Sequence, residues 1–184
     1  MPKITSIEGR LLYNSRGSKT IEVDIVSDKS YIGRVCAPSG ASVGKHEAVS
    51  FHDNNPEKSL VALNSNLKKF IGLEPSNLKS IHDTIRKIDS SSSYLKIGGS
   101  VAFAVTIAAV DSAAKALGIP LFKLLTKDTD LRFPFPLGNI LGGGAHAGPG
   151  TPDIQDHRSS LRTIVGCSGR YDAAGCAHRR ASAE

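Results

Sequence analysis

Between Ser100 and Leu117 the chain is apolar on nearly every side, with Ala102, Ala104, Ala108, Ala109, Ala113 and Ala114 interleaved with Val101, Val105, Ile107 and Val110. A helix without a polar face has to be surrounded, so the rest of the fold must be built around it. Small alanine side chains let other backbones approach closely. Ser100 is placed to cap the start of the helix, and Gly118 followed by Pro120 ends it.

The elements that could surround this helix precede it. Ile4 to Tyr13 reads as a strand of mixed pattern. Thr20 to Ser27 alternates Ile21, Val23 and Ile25 with Glu22 and Asp24, and Tyr31 to Ala37 follows an Asp28-Lys29 turn. Together they predict a three-stranded antiparallel meander with one buried face. Leu60, Leu63, Leu67 and Phe70 then recur at helical spacing, as do Leu78, Ile81, Ile85 and Ile88 after Pro75-Ser76. Two amphipathic helices packed on the sheet are expected, with Ser90 to Ser93 as a surface loop. The fold class is α+β.

Composition narrows the functional classes. Half of the net charge of +6 falls in the last 28 residues, and the body carries no basic stripe with interleaved aromatics, so nucleic-acid binding is disfavoured. The N-terminus lacks a charged region followed by an apolar one, and the stretch Ile97 to Val110 is shorter than the roughly 20 residues of a membrane span. A cytoplasmic protein is expected, with no membrane partner. Cys36, Cys167 and Cys176 are odd in number and lack a CxxC spacing, which fits a reducing compartment. Cys167, Cys176 and His178 match no usual zinc pattern.

Two glycine-rich segments remain. Pro38-Ser39-Gly40-Ala41-Ser42-Val43-Gly44-Lys45-His46-Glu47 follows the third strand, and its small residues are costly to order. Either a ligand offsets that cost or the segment is a solvated connection. The second runs from Leu137 to Gly148 and continues to Gln155 and Asp156. It lacks the GK[ST] ending of a nucleotide-binding P-loop. His146 among its glycines can approach a ligand unhindered, or can simply be exposed.

Several of these segments, in unbroken order from residue 1 to about 156, resemble enolase, the phosphopyruvate hydratase of glycolysis, in its archaeal form. The resemblance is carried by Asn14-Ser15-Arg16-Gly17 leading into Thr20-Ile21-Glu22-Val23, by Pro38 to Ala48, by Leu121-Phe122-Lys123-Leu124-Leu125, and by Pro136-Leu137-Gly138-Asn139 through Gln155. It implies an N-terminal α+β domain over residues 1–130 and the start of a C-terminal (β/α) barrel over 131–156. The implied activity is Mg²⁺-dependent dehydration of 2-phosphoglycerate to phosphoenolpyruvate, in which metal ions stabilise the anion formed beside a carboxylate. In this resemblance Ser42 binds a Mg²⁺ ion, His146 and Gln155 contact substrate, and Arg16 and Glu22 pair across a homodimer interface. An ordinary exposed strand pair would explain the last two equally.

The chain also departs from the family. Val43 stands where the family usually has Thr, and Asp156 stands where it has the glutamate that acts on the leaving hydroxyl. From His157 to Glu184 the resemblance ends, and the catalytic lysine and the carboxylates of the main metal site are missing. A barrel alone needs about 250 residues. Asp and Glu codons share two bases, so loss of the reading frame within codon 156 would account for both the changed residue and the foreign tail. A natural short form with its own basic tail is the alternative. The expectations are that residues 131–184 are poorly ordered, that 157–184 form a non-family tail, and that this truncated chain is inactive alone. It would otherwise serve as a non-catalytic dimerisation or binding module.

Overall fold

The computed structural model describes residues 1–28, 30–40 and 44–126, all within a unit spanning Met1–Asp128. The second glycine-rich segment and the tail lie outside the described residues, as do Ser42, Cys167, Cys176 and His178. The expectations placed on 131–184 therefore fall outside them too.

Three strands open the chain: β1 (Ile4–Tyr13), β2 (Lys19–Ser27) and β3 (Tyr31–Cys36), in the order β1-β2-β3 with both pairings antiparallel. Their alternation puts Ile21, Val23 and Ile25 on one face, where all three are fully buried. The expected meander is present, but its second face is not simply solvated. Thr20, Glu22 and Asp24 on the other side of β2 are buried as well. Arg10 and Arg34 from the flanking strands engage Glu22 and Asp24, while the Thr20 hydroxyl bonds to the Ala37 carbonyl, and residue alternation within β2 encodes neither.

Helix α1 (Pro56–Asn64) begins at Asn55, whose side chain accepts from the amides of Glu57 and Lys58, with Pro56 at the first helical position. The single helix expected through Leu60, Leu63, Leu67 and Phe70 is instead two pieces. After α1, a separate 3₁₀ turn over Leu67–Phe70 buries Phe70. The break falls at Ser65 and Asn66, whose side chains bond back to the carbonyls of Val61 and Ala62 and so compete with continued helix. Helix α2 (Leu78–Ile88) has Asn77 as its cap and buries Ile81 and Ile85.

Helix α3 (Gly99–Leu117) buries ten residues, Val101 and Val105 among them, and lies across the inner sheet face. The closest approach is at Gly33 of β3, where a β-carbon would stand 1.9 Å from the carbonyl oxygen of Ala108. Only glycine permits that contact. Ser27 and Ser112 meet in the same interface, their hydroxyls 2.8 Å apart. Gly118, left-handed at φ 65°, ends the helix as expected, and a short helix α4 (Leu121–Leu125) follows Pro120. By length and composition α3 also satisfies the minimum for a membrane span, which the stretch Ile97–Val110 alone did not. In this fold, 61% of its 18-residue apolar window is buried inside the unit, as in a core helix.

The start of α3 differs from expectation. Ser100 lies inside the helix, the cap position is Gly98 at φ 86°, and no side chain caps it. The amides of Gly99 and Ser100 donate instead to the carbonyls of Val49 (2.7 Å) and Ser50 (3.3 Å). A neighbouring backbone segment supplies what a capping side chain would.

Candidate functional site

Both ends of the first glycine-rich segment are tied to the sheet and the core helix. At its start, the amide of Ala37 donates to Ile21 (2.7 Å), and the buried hydroxyl of Thr20 donates to the Ala37 carbonyl (2.8 Å). Next to it, Asn14 closes the β1–β2 turn: its side-chain oxygen accepts from the amides of Arg16 (2.9 Å) and Ser18 (3.0 Å). Gly17 takes φ 71° in that turn, a conformation suited to glycine. The Asn14 amide nitrogen then reaches the hydroxyl of Ser39 at 3.0 Å. One asparagine thus joins two motifs that the sequence separates by more than twenty residues.

Past the undescribed residues 41–43, a turn from Gly44 to Glu47 leaves Lys45, His46 and Glu47 exposed. Val49 then donates to Ser93 at 3.1 Å, and Val49 and Ser50 dock on the start of α3 as above. Gly98 makes this possible, since a β-carbon there would lie 2.4 Å from the Ser50 carbonyl oxygen.

The outer sheet face carries the second cluster. The β1–β2 register sets Arg10 opposite Glu22, and the β2–β3 register sets Arg34 opposite Asp24. Arg34 grips Asp24 with two hydrogen bonds of 2.8 and 2.7 Å, while Arg10 bonds to Glu22 and reaches Asp24 at 2.9 Å. The Arg34 guanidinium is also 3.7 Å from Glu22. Paired planar donors of this kind suit carboxylates well. The Arg34 contact, assisted by Arg10, holds the Asp24 carboxyl below the usual carboxylate range, and both guanidinium groups are in turn held more firmly in their charged form. Cys36 sits beside Glu22, its sulfur 3.5 Å from the carboxylate. Burial, reinforced by that carboxylate, pushes its thiol up, which opposes thiolate chemistry.

Among the expected site residues, only Arg16 and Glu22 lie among the described ones. Glu22 is not an exposed strand residue: it is buried and engaged by Arg10 and Arg34 of its own chain. Arg16 is exposed on the β1–β2 turn, with its backbone held by Asn14 and its guanidinium in no ion pair among the described residues. The structure does not join these two to each other within one chain. Ser42, His146, Gln155 and Asp156 fall outside the described residues. Sequence reasoning missed Arg10, Asp24 and Arg34, whose partnership depends on strand register, and it missed the joining role of Asn14.

A Mg²⁺ ion takes oxygen donors in near-octahedral geometry. The described residues contain no group of three or more His, Cys, Asp or Glu side chains able to hold a metal ion. They do not fit a Mg²⁺ site on their own.

Comparison with known proteins agrees with the architecture. Residues 4–125 match the family model described as "Enolase, N-terminal domain". The chain is 36% identical over 154 residues to the enolase of Methanosphaera stadtmanae, an alignment covering 83% of this chain and 37% of that protein. It is 35% identical to enolase 2 of Pseudomonas syringae pv. syringae, over 84% of this chain and 38% of that protein. For the enolase of Pyrobaculum aerophilum the identity is 34%, over 80% and 36% respectively. The chain therefore spans less than two fifths of the length of the curated relatives it matches. With its antiparallel three-stranded sheet, its helices and the motifs joined by Asn14, the chain belongs to the enolase family and carries that family's N-terminal domain.

Proposed function

We propose that this chain is the N-terminal portion of an enolase, a cytoplasmic lyase of glycolysis that dehydrates 2-phosphoglycerate to phosphoenolpyruvate with Mg²⁺, and that the 184-residue form is inactive alone. The observation that carries this reading is the joint placement of the Asn14–Gly17 turn and the Pro38–Glu47 segment within a unit matching the family over residues 4–125. Ser42 offers the hard oxygen donors that suit Mg²⁺. His146 and Gln155 would contact substrate, and Asp156 would act at the leaving hydroxyl with a side chain one methylene short. Bound Mg²⁺ would supply positive charge against the anion that forms beside the substrate carboxylate. The proposed inactivity rests on the resemblance: the carboxylates of the family's main metal site and its catalytic lysine have no counterpart in this chain. Arg16 and Glu22 are the proposed contacts of a homodimer, with Arg16 the more available of the two.

A coupled assay of the purified 184-residue chain with 2-phosphoglycerate and Mg²⁺ tests this reading. No turnover above background is expected, and measurable dehydration would overturn it. The frame-loss proposal is tested separately: the gene past codon 156 should encode barrel-like strands in another frame. A second reading, a non-catalytic dimerisation or binding module, is favoured by one feature. Buried residues from Ile4 to Ala109, among them Ile21, Val23, Leu63, Phe70 and Ile81, form one hydrophobic core with Val101 and Val105 of α3. Sedimentation of this chain tests the dimerisation role of the module: a stable dimer would support that role, and a monomer would count against it.

A further inference from the structure

Asp89, at the C-terminal end of α2, is fully buried, yet no lysine or arginine forms an ion pair with it among the described residues. Its carboxylate is satisfied by neutral donors. One oxygen accepts from the amide and hydroxyl of Ser91 (3.0 and 2.5 Å), and the other from the amides of Lys96 (2.6 Å) and Ile97 (3.0 Å). A single side chain thus gathers both ends of the 90–97 loop. The Ser91 hydroxyl extends the network by accepting from the Leu95 amide at 2.7 Å. Arg86 supports the loop from outside, donating to the Ser91 carbonyl at 2.7 Å with its guanidinium 4.2 Å from the centre of the Tyr94 ring.

Closing the loop aims its carbonyls at another part of the chain. Ser93 accepts from the Val49 amide at 3.1 Å, and Leu95 accepts from Nδ1 of His52 at 2.7 Å. The Val49 and Ser50 carbonyls then cap the first amides of α3. Tyr94 adopts φ 56°, a strained conformation that the surrounding bonds must hold in place.

We infer that Asp89 is a positioning residue for the segment Val49–His52, and through that segment for the junction between the glycine-rich connection and the start of α3. Its carboxylate shapes the 90–97 loop into a template on which 49–52 docks. This goes beyond the enolase reading and does not depend on it, because it concerns backbone order and not catalysis.

Amide hydrogen exchange by NMR on the intact 184-residue chain tests the inference. Asp89→Asn keeps the shape of the side chain but turns an NH₂ group toward amides that need an acceptor. Exchange at Val49, Gly99 and Ser100 should accelerate by about tenfold or more, while Ile21, Val23 and Ile25 in the sheet change by less than about twofold. The His52 ring supplies an independent signature: its nitrogen shifts should lose the Nδ1–H form imposed by the Leu95 carbonyl. Faster exchange at Lys96 and Ile97 with Val49 and His52 unchanged would overturn the inference. A uniform acceleration across the sheet would overturn it as well, since Asp89 would then be a general stabiliser. Should Asp89→Asn fail to fold, Ser91→Ala severs the link from Asp89 to Leu95 more gently. Faster exchange at Val49, with the sheet unaltered, is expected there too, and no change at Val49 would overturn the inference.

Discussion

The two faces of strand β2 are nearly equally buried and are held by different forces. Ile21, Val23 and Ile25 are 0% exposed beneath α3, whereas Glu22 and Asp24 are each 9% exposed beneath two arginines. The inner face is stabilised by removing apolar surface from water, which is insensitive to charge. The outer face depends on geometry and ionisation, because a buried carboxylate is costly unless it is paired. Burial alone therefore does not reveal what holds a strand in place. Arg34 itself is half exposed, its side chain at 54%, so solvent weakens the outer network further.

Substitutions should separate the faces. Ile25→Ala should cost about 2–5 kcal/mol through lost burial and the cavity left beneath α3. Urea unfolding would read this as a lower midpoint that is independent of salt, and a loss below about 1 kcal/mol would break the contrast. Gly33→Ala tests the close approach of α3. Because the new β-carbon would press on a backbone oxygen, about 1–3 kcal/mol should be lost. Asp24→Asn should cost about 1 kcal/mol, with a loss that shrinks in high salt.

Acid should discriminate as well. The Asp24 carboxyl is depressed chiefly by Arg34. Burial pushes the Asp89 carboxyl up, but hydrogen bonds from Ser91, Ile97 and Lys96 outweigh it and leave it depressed too. A depressed folded-state value means that the stabilisation is present above the unfolded value of about 3.9 and is lost as pH falls through the folded one. Unfolding midpoints measured from pH 7 downward should therefore fall below about pH 4, and the fall should be shallower in Asp24→Asn. Equal slopes in the two proteins would remove the outer network from the account. The smallest effect should come from Glu57→Gln. It removes an exposed pair with Lys19 at the first residue of β2, outside both buried clusters, and no resolvable change in midpoint is expected.

Most of the fold was legible because it is written in periodicity. Alternation of Ile21, Val23 and Ile25 located β2, and the apolar 100–117 stretch located the core helix. The break between α1 and the Leu67–Phe70 turn was not legible. Leu60, Leu63, Leu67 and Phe70 keep helical spacing through it, while the interruption comes from side-chain bonds of Ser65 and Asn66. The cap of α3 escaped for a related reason: its acceptors, Val49 and Ser50, lie some fifty residues earlier in the chain. Arg16, Glu22 and the Pro38–Glu47 motif were recognisable by resemblance, yet the burial of Glu22 required Arg10 and Arg34 from neighbouring strands.

The sequence by itself determined the class of fold, the order of the strands and helices, the central place of α3 and the family, since these follow from patterns within single segments and from motifs in order. Only the tertiary structure decided that Asn14 meets Ser39, that Asp24 lies between two arginines, and that Asp89 organises a loop on which Val49 and His52 rest. Those contacts join segments whose register and approach are set by packing. A hydrogen bond depends on a few tenths of an ångström, and residue order alone does not specify distance.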